Sequence, residues 1–77
     1  MEDNFTQIVA NLNELGFTFH GKYITGYLNK YRVILCKIVN GCKYKSIGYG
    51  DTAIKATLLA ELRWIEDFGE ENYCNGV

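Results

Sequence analysis

Apolar side chains recur at Phe5, Ile8, Val9, Leu12 and Leu15, steps of three and four that put them on one face of a helix over the first sixteen residues. Thr6, Gln7, Asn11, Asn13 and Glu14 make the other face polar. Asp3 or Asn4 is placed to cap the start, Glu2 and Asp3 suit the positive end of the helix dipole, and Gly16 marks the stop. From Phe17 the pattern turns to aromatic and β-branched residues, which favour strands. Phe17 to His20 reads as extended. Gly21 and Gly26 bracket a short segment from Lys22 to Thr25, and Tyr31 to Val39 is the strongest strand. Asn40-Gly41 is a type I′ hairpin signal, because both residues tolerate positive φ. Cys42 to Ile47 returns as the partner strand, with Val39 opposite Cys42, Lys37 opposite Tyr44, Leu35 opposite Ser46 and Ile34 opposite Ile47. Gly48-Tyr49-Gly50 reads as a loop into a helix over Ala53 to Phe68, capped by Asp51 or Thr52 and ended by Gly69. In that helix Ile54, Leu58, Leu62 and Ile65 form the stripe expected to face the core. Ala56, Leu59 and Ala60 widen it, and Trp64 and Phe68 lie beside it.

The order is α-β-β-β-α. It predicts an α+β fold: one small domain over residues 1–69, a three-stranded antiparallel sheet packed with two helices, and a polar, fraying tail over 70–77. With 77 residues, 48% of them hydrophobic and 22% charged, the chain reads as globular and stands near the lower size limit for a single core. No apolar run is long enough to span a bilayer, and no basic segment leads into an apolar one, so neither membrane insertion nor a leader is expected. Three cysteines in no paired spacing fit a reducing compartment, the cytoplasm.

The residues that could carry chemistry do not assemble a reaction. His20 is the lone histidine, beside Gly21, with no nucleophile or acid at triad spacing. Cys36 sits mid-strand as a small hydrophobe. Cys42 follows the hairpin turn and Cys74 lies in the tail, in no zinc-ribbon or redox spacing. Gly48-Tyr49-Gly50 lacks the Lys-Ser/Thr of a phosphate loop. No catalytic residue, metal site or cofactor is expected, and the chain reads as a non-enzyme.

Charge is more informative. Residues 22–55 hold Lys22, Lys30, Arg32, Lys37, Lys43, Lys45 and Lys55 against Asp51 alone, a balance of +6 within a chain of formal charge −1. Tyr23, Tyr27, Tyr31, Tyr44 and Tyr49 interleave with these cations, a pattern able to bind phosphates and stack on bases. Glu66, Asp67, Glu70 and Glu71 cluster at the far end, a placement unfavourable for the helix dipole. The long strand is apolar on both sides, with Val33 and Leu35 on one face and Ile34, Cys36 and Ile38 on the other. Either helices cover both faces of the sheet or one face meets a partner.

The α-β-β-β-α order, and the stretch from Tyr31 through Asn40-Gly41 to Ala60, resembles the double-stranded-RNA-binding domain. That family reads phosphates with a Lys-Lys-x-Ala-Lys motif at the start of its last helix. Here Asp51-Thr52-Ala53-Ile54-Lys55-Ala56 stands in its place, with only Lys55 basic. Gly50-Asp51-Thr52, followed by Ala53, Ala56, Ala60 and the Glu61-Leu62-Arg63-Trp64 end, is similar to the phage ABA-sandwich group of small accessory proteins, over most of residues 1–68. That resemblance implies a binding protein of a bacterial host's cytoplasm that occupies a host protein surface. An inhibitor of a defence system such as CRISPR–Cas, an anti-CRISPR, fits it. Tyr23, Tyr27, Lys30, Lys43, Lys45 and Tyr49, or the acidic set Glu66, Asp67, Glu70 and Glu71, are the candidate contact residues. The alternative is a divergent nucleic-acid binder using the basic sheet. A homodimer through the strand face is compatible with either.

Overall fold

The fold was obtained as a computed structural model, which describes residues 4–24 and 30–74. Six elements follow in order: α1 (Asn4–Glu14), β1 (Thr18–Tyr23), β2 (Tyr31–Val39), β3 (Cys42–Gly50), α2 (Ala53–Phe68) and α3 (Glu70–Cys74). The three strands make one antiparallel sheet in the order β1-β2-β3, so the most apolar strand lies in the middle. Asn40 (φ 53°) and Gly41 (φ 83°) form the hairpin turn. All four expected cross-strand pairs between β2 and β3 are present. β1 runs unbroken through Gly21, where two separate segments were expected. The expected cap Asp3 and the residues Thr25 and Gly26 lie outside the described residues, and Asn4 is the first helical residue.

The helices pack on a single face of the sheet. Leu12 of α1, Ala56, Ala60 and Trp64 of α2, and Phe17 close on Val33 and Leu35 of β2 to form the buried core. Aromatic edges lock it: Trp64 meets Phe17 at 4.8 Å and Phe68 at 4.7 Å, and Tyr44 stacks on Phe68 at 4.9 Å. Phe5 brings α1 onto Phe19 of β1 at 5.6 Å.

The stretch read as a loop, Gly48-Tyr49-Gly50, is the end of β3. It remains strand because α2 lies directly on it. A Cβ at Gly48 would collide with the Ala56 carbonyl oxygen and the Ala60 nitrogen, and one at Gly50 would stand 2.8 Å from the Ala56 nitrogen. Glycine on the sheet and alanine on the helix let the two backbones touch, and Ser46 Oγ pins them by donating to Ala60 O at 2.9 Å. Thr52 is the N-cap, accepting from Lys55 N at 3.1 Å, and Gly69 (φ 91°) ends the helix.

That contact sets the rotation of α2 and turns the expected stripe: Ala56 and Ala60, expected at its margin, are core, Ile54, Leu59 and Ile65 are half-buried, and Leu58 and Leu62 are not core. Ala56, Thr57, Ala60 and Trp64 are the buried residues, while Leu58 and Leu62 are 50% and 54% exposed. Hydrophobicity alone favours the leucines. Close backbone packing and burial of the large Trp64 favour the small-residue side, and the two faces cannot both be inward.

The tail expected to fray is, over Glu70–Cys74, a helix docked on the core. Lys37 holds it. Its side chain points inward and is 2% exposed, and Nζ donates to the carbonyls of Asn72 (2.9 Å) and Tyr73 (3.0 Å), 4.8 Å from the centre of the Phe17 ring. The end of a helix leaves carbonyls unpaired and carries partial negative charge, so an ammonium is well matched there. Tyr73 packs on Phe17 at 5.3 Å and donates from its hydroxyl to Glu61 Oε1 at 2.7 Å. A lysine that composition placed in the basic patch is thus a core residue.

Two outcomes follow, both read by urea unfolding. Gly48→Ala lowers stability by about 2–3 kcal/mol by forcing α2 off β3, whereas Gly41→Ala, with nothing near the added carbon, costs about 1 kcal/mol for its positive φ. Lys37→Ala strands two carbonyls and opens a void, for a loss of about 2–4 kcal/mol, while Lys37→Arg, too large for the site, does not restore it.

Candidate interaction surface

With α1, α2 and α3 gathered on one side, the other face of the sheet is left to solvent by every described helix. Strand alternation and the observed register place its residues in rows. His20, Ile34 and Ile47 form one row across the three strands, and Lys22, Arg32 and Tyr49 the next. In the other direction come Thr18, Cys36 and Lys45, and then Ile38 with Lys43. The centre is aliphatic: Ile38 is 53% exposed, Ile47 38% exposed and Ile34 half-buried. The cations Lys22, Arg32, Lys43 and Lys45 surround it, and no Asp or Glu occupies the face. Since the whole chain carries −1, its remainder is acidic. A groove of about 480 Å³ opens at the Thr18 end, lined by Gly16, Thr18, His20, Cys36, Lys37, Ile38 and Lys43.

The structure divides the candidate contact residues. Lys43, Lys45 and Tyr49 share the open face. Tyr23 pairs with Tyr31 on the helix side of the sheet, ring to ring at 4.8 Å, although it is 69% exposed. Lys30 is exposed just before β2, and its carbonyl accepts from Ile24 N at 2.8 Å. Tyr27 lies outside the described residues. Glu66 and Asp67 close α2 and Glu70 and Glu71 open α3, all four exposed. Lysines and tyrosines that interleave in sequence are separated in space. A period of two sends Lys43 and Lys45 outward and Tyr44 inward onto Phe68, and leaves Tyr49 as the one tyrosine on the open face among the described residues. Lys22, Arg32 and the isoleucines were not singled out as contacts. Alternation on β2 already grouped Arg32, Ile34 and Ile38, but the pairing with β1 that adds His20 and Lys22 had no turn motif to announce it.

Cys36 is buried and Cys42 exposed, and both are free thiols. Among the described residues no group of His, Cys, Asp and Glu could hold a metal ion, and no helix is long and apolar enough to cross a membrane. No protein-family model matches the chain, and neither does any curated protein or solved structure. The resemblances to the RNA-binding domain and to the phage group therefore stand on element order and the residues quoted for them.

Ile38→Ser and Ile47→Ser are expected to leave the fold intact. Each changes unfolding stability by less than about 1 kcal/mol, unlike Val33→Ser or Leu35→Ser on the buried face of the same sheet, and thermal melts of the four variants make the comparison.

Proposed function

We propose that this protein is a non-enzymatic binding protein that acts by covering an acidic surface of a partner protein with the open face of its sheet. The single observation that carries this reading is the make-up of that face: an aliphatic centre ringed by Lys22, Arg32, Lys43 and Lys45 with no acid among them. Protein interfaces share this plan of apolar core and polar rim, and the cations select the sign of the partner. The isoleucine centre interdigitates with other aliphatic groups, and with His20 and Tyr49 as the only described rings on the face it offers no run of rings for successive bases to stack on, which favours protein over nucleic acid. Two copies meeting through this face would oppose like charges, which disfavours the strand-face homodimer.

A phage-type inhibitor of host defence, CRISPR–Cas included, works in this way when steric occupation of a host protein is enough. At about 3.3 Å per residue and about 4.8 Å between strands, the face covers roughly 400 Å², about half of what one partner contributes to a standard interface. Durable binding therefore requires contacts from flanking turns, Lys30 among them, or engagement of more than one face.

Immobilised protein should retain a bacterial host protein after nuclease treatment, and Lys43→Glu/Lys45→Glu and Ile38→Ser should each abolish that retention without unfolding the domain. Retention that survives both variants overturns the reading. Retention that vanishes with nuclease, together with nucleic-acid binding that falls steeply with salt, replaces it with the nucleic-acid reading.

A further inference from the structure

We infer that the outward face of α2 is a self-association surface, which joins two copies of this chain as an antiparallel helix pair. Leu58 and Leu62 are half exposed on the side of α2 that points away from the sheet, with Leu59 half-buried beside them. Lys55, Leu59, Leu62 and Glu66 follow one another at steps of four, three and four along that side. This spacing reads the same in both directions and keeps the four on one seam of a helix. A two-fold axis between Ala60 and Glu61 sets Leu59 of one copy against Leu62 of the other and Lys55 against Glu66. Each contact then occurs twice, as an isologous interface requires.

A second observation is independent of the leucines. The charges of α2 are reversed with respect to its own dipole: Lys55 stands in the first turn and Glu66 and Asp67 near the end, with no acid in the first turn and no base in the last. Within one copy this is unfavourable. In an antiparallel pair each Lys55 lies beside the negative end of the other helix and each Glu66 beside the positive end, so both the side-chain charges and the dipoles become complementary. The sheet face, all cationic, has no such self-complementarity.

The open sheet face and the outward face of α2 lie on opposite sides of the molecule. A pair joined through α2 thus presents two open faces outward, and a partner with two acidic patches gains by avidity what one small face lacks. The pairing rests on α2 alone and stands whether or not the sheet face binds as proposed.

Sedimentation equilibrium from about 1 μM to about 500 μM reads the pairing directly, and the mass is expected to rise from one chain to two across that range. Leu62→Glu, at a position half in solvent, holds the protein monomeric. Lys55→Glu and Glu66→Lys each weaken the pair about tenfold, even though each suits the helix dipole and leaves the monomer folded. The double variant restores the pairing. These two residues are eleven positions apart on one helix, too far to compensate within a copy, so rescue reports a contact between copies. A single-chain mass at every concentration, an unchanged dimer in Leu62→Glu, or no rescue in the charge swap overturns the inference. Lys43→Glu/Lys45→Glu leaves the pairing unchanged, and a dimer lost in that variant instead also overturns it.

Discussion

The backbone contact between α2 and the end of β3 is the constraint on which the rest of the structure depends. Gly48 and Gly50 offer no side chain, Ala56 and Ala60 offer only a methyl, and Ser46 bonds to the Ala60 carbonyl across the gap. Packing this close leaves one rotation of α2. Trp64 falls into the core, buried, with no hydrogen-bond partner for its Nε1 among the described residues. Phe17, Tyr44 and Phe68 close around that ring, and the desolvated N–H is an accepted cost of burying so large an apolar surface. The same rotation delivers Leu58 and Leu62 to solvent.

Lys37 completes the enclosure from the opposite end. It stands on the inner face of β2 among Val33 and Leu35, and its ammonium engages the last carbonyls of α3. A five-residue helix has little stability of its own, so α3 exists because Lys37, Phe17 and Glu61 each hold part of it. With α3 in place the helix side of the sheet is covered by three helices. The inner face is taken up by the core, and no described helix covers the outer face.

The proposed partner contact and the proposed self-association fall on two surfaces with different chemistry. The sheet face is cationic around an aliphatic centre, so a second copy placed on it opposes like charges. The outward face of α2 carries leucines between a lysine and a glutamate, an order complementary to itself when reversed. Their placement on opposite sides of one sheet makes them mutually independent, which suits a small protein whose single faces are below the size of a standard interface.

Much of the fold was legible from residue order alone, since the signals involved are local. The bounds of α2, the hairpin at Asn40-Gly41, its register and the α-β-β-β-α sequence all follow from periodicity, capping and a turn that requires positive φ. The alternation of β2 also showed that it has two apolar faces. What tertiary structure alone decided is which way each face turns. Ile54, Leu58, Leu62 and Ile65 carry the stronger hydrophobic stripe, yet the alanines win, because glycines six to twelve residues earlier in the chain make room for backbone contact. Lys37 reads as surface charge until the carbonyls of residues 72 and 73, far away in sequence, arrive to receive it. The tail reads as polar for the same reason: its order comes from partners on β2 and α2, not from its own residues. Periodicity reports what a segment can present. Only the packing of distant segments determines what it does present, and here that packing placed a cationic sheet face on one side and a leucine-bearing helix on the other.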